Sequence, residues 1–80
     1  MHSKDEVLKW VVEILTREFG VDAANLRPET HLVEDLDLDS IDAIDMAVRI
    51  EEKTGLALSG EDLQSIQTIQ DAVDLIHARL

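Results

Sequence analysis

Eighty residues carry 18 acidic and 7 basic side chains, for a net charge of −11, and no cysteine. The charge excludes a basic footprint for nucleic acid, and the missing thiols exclude a disulfide framework or a thiolate metal site. No apolar run reaches the roughly 18 residues of a membrane span. An apolar fraction of 45% argues against disorder and for a single domain over residues 1–80. The N-terminus lacks a signal-peptide core, so a cytoplasmic protein, monomeric when free, is the expectation. The surplus acid serves solubility or steers the chain toward basic partner surfaces.

The first element is announced by "SKDE", where Ser3 and Glu6 have capping-box spacing. Val7, Val11, Ile14 and Leu15 then cluster on one side of a helix, widened by Leu8, Trp10, Val12 and Phe19. Glu18 intrudes on that side, and Gly20 supplies the stop signal. Residues 21–38 follow neither the helical nor the strand period, and Pro28 disfavours helix at Arg27. A connection this long is more often functional than idle. Val21, Leu26, Leu32, Val33, Leu36 and Leu38 are expected to anchor it on the core.

A second helix is expected from Asp39 or Ser40 to Gly55, and a short one in "LSGEDLQSI" with Ser59 as cap. In the last helix Thr68 is the cap and Ile69, Ala72, Val73, Ile76 and Leu80 form the apolar stripe. The fold expected is all-α: a small four-helix bundle, three main helices and one short, with a long loop between helices 1 and 2.

The second helix has two apolar faces. With Ile41 set at zero, Ile44 and Val48 fall within about 60° of it. Ala43, Met46, Ala47 and Ile50 group on the other side, and a surface helix normally carries one stripe. The Met46–Ile50 group is the better core candidate, which leaves Ile41, Ile44 and Val48 among Asp42, Asp45, Glu51 and Glu52. Either the long loop covers this second stripe, or it is an apolar docking patch with an acidic rim. Asp39 is the natural N-cap, leaving Ser40 as first helical residue with its hydroxyl free at the positive end of the helix dipole.

Two other chemistries fail on spacing. Asp35, Asp37 and Asp39 copy the first, third and fifth positions of a calcium-binding loop, but Ser40, Asp42 and Met46 stand where its Gly, apolar residue and bidentate Glu belong. His2, His31 and His77 lack metal-ligand spacing, and no nucleophile turn or phosphate cradle surrounds Ser40. No metal site and no catalytic residue is expected.

The stretch "DLDLDSIDAIDMAVRIEEKTG" resembles the modification-site segment of acyl carrier proteins, an Asp-Ser-Leu core followed by an acidic amphipathic helix. The order of elements across nearly the whole chain fits the same family. The resemblance implies that Ser40 accepts 4′-phosphopantetheine from coenzyme A, installed by a phosphopantetheinyl transferase, with Asp39 as the adjacent acid. It implies a non-catalytic carrier holding acyl thioesters on that arm, with the chain sheltered between helices. Ile41, Asp42, Ile44, Asp45, Val48, Glu51 and Glu52 would meet basic docking grooves on acyl-transferring and chain-elongating enzymes. Three departures stand out: Asp37 where the family often has Gly, Ile41 for Leu, and Arg49 among the acids. They point toward a specialised pathway carrier rather than the housekeeping fatty-acid one, and "DLDLDSIDAID" resembles carriers of polyene-type pathways, a polyketide-like chemistry that runs on fatty-acid-synthase logic. A peptidyl or aminoacyl carrier, and an unmodified acidic interaction domain of the same fold, are the alternatives.

Overall fold

The computed structural model describes residues 2–80. Its helices are α1 (Lys4–Phe19), α2 (Ser40–Thr54), α3 (Gly60–Ser65) and α4 (Ile69–Arg79). Each begins where a side chain can take an otherwise unpaired amide of the first turn. Ser3, Asp39, Ser59 and Thr68 accept from Glu6, Asp42, Asp62 and Asp71 respectively, and the last three are reciprocal capping boxes. α1 and α2 end on Gly20 and Gly55 at φ of 67° and 79°, a left-handed backbone open to glycine without steric cost.

The core is apolar and continuous. Val7, Val11 and Leu15 of α1 and Ile69 and Ile76 of α4 are completely or almost completely removed from solvent. Each such side chain contributes roughly 1.5–3 kcal/mol relative to an exposed one. Ile14 of α1, Val73 of α4 and Met46 and Ile50 of α2 join the core, together with Leu32 and Leu38 from the long connection. The all-helical bundle expected from the periodicities is the fold observed.

The connection between α1 and α2 is more ordered than its sequence suggests. A 3₁₀ turn, Ala23–Asn25, is capped by Asp22. Further on, the loop lies across the start of α4. The carbonyls of Thr30 and Pro28 accept from the first-turn amides of Ile69 and Gln70 at 3.1 and 2.8 Å, and Leu32 donates to the Gln67 carbonyl at 2.8 Å. An isolated antiparallel bridge, His31 to Thr68, forms there, and no strand is present among the described residues.

Two apolar expectations are corrected. Val33 is not a core anchor but 58% exposed, because the turn that closes over residues 31–36 points it away from Leu32 and Leu38. Leu80 lies beyond the last turn of α4 and is exposed, so the buried stripe ends at Ile76. Glu18, which looked misplaced on the apolar side of α1, faces Arg49 of α2 at 3.2 Å.

Candidate functional site

The start of α2 is built by a reciprocal pair of carboxylates. Asp39 Oδ1 accepts from the Asp42 amide at 2.9 Å, and Asp42 Oδ2 accepts from the Asp39 amide at 3.1 Å. The cap uses one oxygen of each acid and leaves the Ser40 hydroxyl out of it. Ser40 is exposed, the first residue of the helix, with the cap fixing the backbone on both sides of it. Asp42 therefore has a structural duty that spacing alone did not reveal.

Behind this serine the two faces of α2 separate as their periodicity implied. Met46, Ala47 and Ile50 are buried, whereas Ile41, Ile44 and Val48 are 73%, 58% and 46% exposed. The loop does not cover the second stripe. Val33 adds an exposed apolar side chain from the loop, a residue for which the sequence carried no distinguishing signal.

A cavity of about 650 Å³ opens between α2, α3 and the loop. Ser40, Ala43 and Ile44 stand on its wall with Leu38, Met46 and Ile50 of the core side and Leu58, Leu63 and Ile66 from around α3. A void of this size lined by aliphatic side chains suits a flexible apolar chain. The residues of α3 are nowhere fully buried, so this wall is lightly packed.

The acidic rim is uneven. Arg49 lies 3.5 Å from Asp45, 4.0 Å from Glu52 and 3.2 Å from Glu18, which ties α2 to α1 and partly neutralises two of the predicted recognition acids. Glu51 is exposed on the same helix and takes part in no ion pair among the described residues. The three acids that mimicked a calcium loop have separate tasks: Asp35 accepts from the His31 amide at 2.7 Å, Asp37 adopts φ of 61°, and Asp39 caps α2. None of the described helices is long and apolar enough to cross a membrane.

Comparison with known proteins agrees with this geometry along the chain. The family model described as "Phosphopantetheine attachment site" matches residues 9–76. The acyl carrier protein of Myxococcus xanthus is 41% identical over 76 residues, covering 95% of this chain and 96% of that protein. Acyl carrier protein 2 of Ralstonia nicotianae is 37% identical over 78 residues, covering 98% and 96%. A solved acyl carrier protein from Enterococcus faecalis superposes with a TM-score of 0.82 at 29% identity, covering 99% of this chain and all of that one. The chain belongs to the acyl carrier protein family, non-catalytic carriers of acyl groups on covalently bound phosphopantetheine.

Proposed function

We propose that Ser40 is the attachment residue and that the arm it bears carries an acyl thioester to enzymes of a fatty-acid or polyketide-type pathway. The observation that carries this reading is the position of Ser40, exposed at the head of α2 and on the wall of an apolar cavity. The Asp39–Asp42 cap holds the backbone while leaving the hydroxyl available to a transferase. A phosphodiester on that oxygen lies at the positive end of α2, where the helix dipole favours negative charge. The arm supplies a thiol for thioester formation, which accounts for a carrier without cysteine. Asp39, beside the serine, is the acid through which the transferase orients Ser40 and its metal.

Cargo short enough to fold back is sheltered between α2 and α3, where Met46, Leu58 and Leu63 line the void. Exposed Ile41, Ile44 and Val48 supply the apolar contact for synthases with basic grooves, and Glu51 with the free sides of Asp42, Asp45 and Glu52 supplies the charge complement. Asp37 and Arg49 mark the chain as a specialised pathway carrier.

Intact mass tests the reading. Apo protein incubated with coenzyme A, magnesium and a broad-specificity phosphopantetheinyl transferase is expected to gain the mass of one arm, and Ser40→Ala none. No gain on wild type, or an equal gain on Ser40→Ala, overturns the assignment.

A further inference from the structure

The turn that delivers Ser40 is capped by an imidazole. His31 Nδ1 accepts from the backbone amides of Val33 at 3.2 Å and Glu34 at 3.1 Å, while the amide of His31 donates to Asp35 Oδ2 at 2.7 Å. This reciprocity is that of a capping box, with a ring nitrogen where a hydroxyl or carboxylate oxygen ordinarily accepts. The capped turn continues through hydrogen bonds from Asp35 and Leu36 to the His31 carbonyl, at 2.9 and 3.3 Å. It closes with Asp37 donating to Val33 and Leu38 to Leu32, at 3.0 and 3.1 Å. Leu38 is a core residue, and Asp39 and Ser40 follow it directly. The segment leading to the capped start of α2 is thus held by a series of bonds that begins at His31.

A ring nitrogen accepts only while it has no proton. The two amides therefore require a neutral His31 with its proton on Nε2. A second proton, on Nδ1, turns the acceptor into a donor facing two other donors. Ser, Thr, Asn or Asp in the same role would not undergo that change between about pH 5 and pH 8, where histidine ordinarily titrates. His31 is half-buried on the wall of the cavity, so its ring has a route to solvent. The charged groups on the elements packed against it are acids: Asp35 on its amide, adjacent Glu34 and Asp39 of its own loop, and Asp71 of α4, whose carboxylate accepts from the Gln67 and Thr68 amides beside the His31 bridge. From α2, α3 and the connection to α4, that wall presents Ala43, Ile44, Gln64 and Gln67, all uncharged.

We propose that His31 is a positioning residue for the attachment site and makes the presentation of Ser40 sensitive to pH. Neutral His31 holds the turn; protonated His31 releases the Val33 and Glu34 amides and loosens the segment leading to Ser40. This rests on the carrier reading for its consequence, though not for its structural content.

Two measurements test it. Nitrogen-detected NMR of the apo protein at pH 8 is expected to show His31 protonated on Nε2 alone. As pH falls, the Val33, Glu34 and Ser40 amide signals should move with one common midpoint. In His31→Asn, whose side-chain oxygen accepts from the same amides without titrating, those signals should stay in place. In the second measurement, transferase rates on wild type are divided by those on His31→Asn, which cancels the enzyme's own pH profile. That ratio should be near one where histidine side chains are ordinarily neutral and fall by up to about fivefold, the equilibrium scale of losing one cap, where they are ordinarily protonated. A proton on Nδ1 at pH 8, or a ratio independent of pH, overturns the proposal. If Ser40 accepts no arm at all, the carrier reading fails and the NMR result still decides the role of His31.

Discussion

Arg79 and Asp62, 17 residues apart, are joined by two parallel hydrogen bonds, Nη1 to Oδ2 at 2.6 Å and Nη2 to Oδ1 at 2.5 Å. The fork ties the end of α4 to the start of α3, and Asp62 Oδ2 also accepts from the Ser59 amide at 2.9 Å. The guanidinium first, and then the Ser59 amide, hold the Asp62 carboxyl well below the usual carboxylate range. Arg79 is pushed up correspondingly by the same contact. A folded pKa that is depressed gives stability that is present above the ordinary carboxylate value, about 3.9, and is lost as pH falls from there through the lower folded value. Because α3 has no fully buried residue, that loss should appear first as local opening of α3. Asp62→Asn keeps an acceptor for Ser59 and removes the charge-assisted fork. It should raise hydrogen exchange in α3 at neutral pH and leave α1 and the centre of α4 protected. Unchanged exchange in α3 would show that the ion pair does not hold the wall of the cavity.

Asp37 carries the second expected outcome. Its φ of 61° is the one positive value at a non-glycine among the described residues. A left-handed backbone costs an L-residue roughly 1–2 kcal/mol, with Asp among the better tolerated. Asp37→Gly relieves that cost but adds freedom to the unfolded chain, so the net change should lie between about zero and a gain of about 1 kcal/mol. Asp37→Val combines a β-branch with the same backbone and should destabilise by about 1–3 kcal/mol. Urea denaturation measures both. A valine variant as stable as wild type would mean that the turn does not need this conformation.

Much of this arrangement is legible from local chemistry, because helix ends are written in single residues. Ser3, Asp39, Ser59 and Thr68 announce the starts, Gly20 and Gly55 the stops, and the split periodicity of α2 announces its exposed stripe. The loop resisted reading because its order comes from a histidine ring, an Asp side chain and carbonyls paired with α4, none of which leaves a period. Val33 illustrates the limit: it looks like any other aliphatic anchor until the His31 turn directs it outward. The ion pairs of Arg49 and Arg79 leave no mark in the sequence, since their partners Glu18 and Asp62 are brought to them only by how the helices pack.

Arg49 makes the acidic rim unequal, which separates the recognition acids by experiment. Arg49→Gln should cost less than about 1 kcal/mol of stability, the usual worth of an exposed ion pair. It leaves Asp45 and Glu52 without their cation, so association with a basic-grooved synthase should accelerate, most at low salt. For the same reason Glu51→Gln should slow association more than Asp45→Asn does. Stopped-flow association at two ionic strengths reads all three, and equal effects at positions 45 and 51 would count against the role assigned to Arg49.

Ile44 and Ile50 stand about 120° apart around one helix, 58% and 4% exposed, and the same substitution should have different consequences at the two. Ile50→Ala removes core volume beside Met46 and should cost about 2–5 kcal/mol of folding stability. Ile44→Ala changes an exposed position and should shift stability by less than about 0.5 kcal/mol. If Ile44 is an apolar anchor for partner enzymes, its loss should nevertheless lower kcat/KM for acyl transfer by about tenfold or more, the scale of an interface residue worth above 1 kcal/mol. Thermal denaturation and transfer kinetics on the same two variants separate these effects. Normal transfer by Ile44→Ala would remove the exposed stripe from the docking surface, even with Ser40 fully modified.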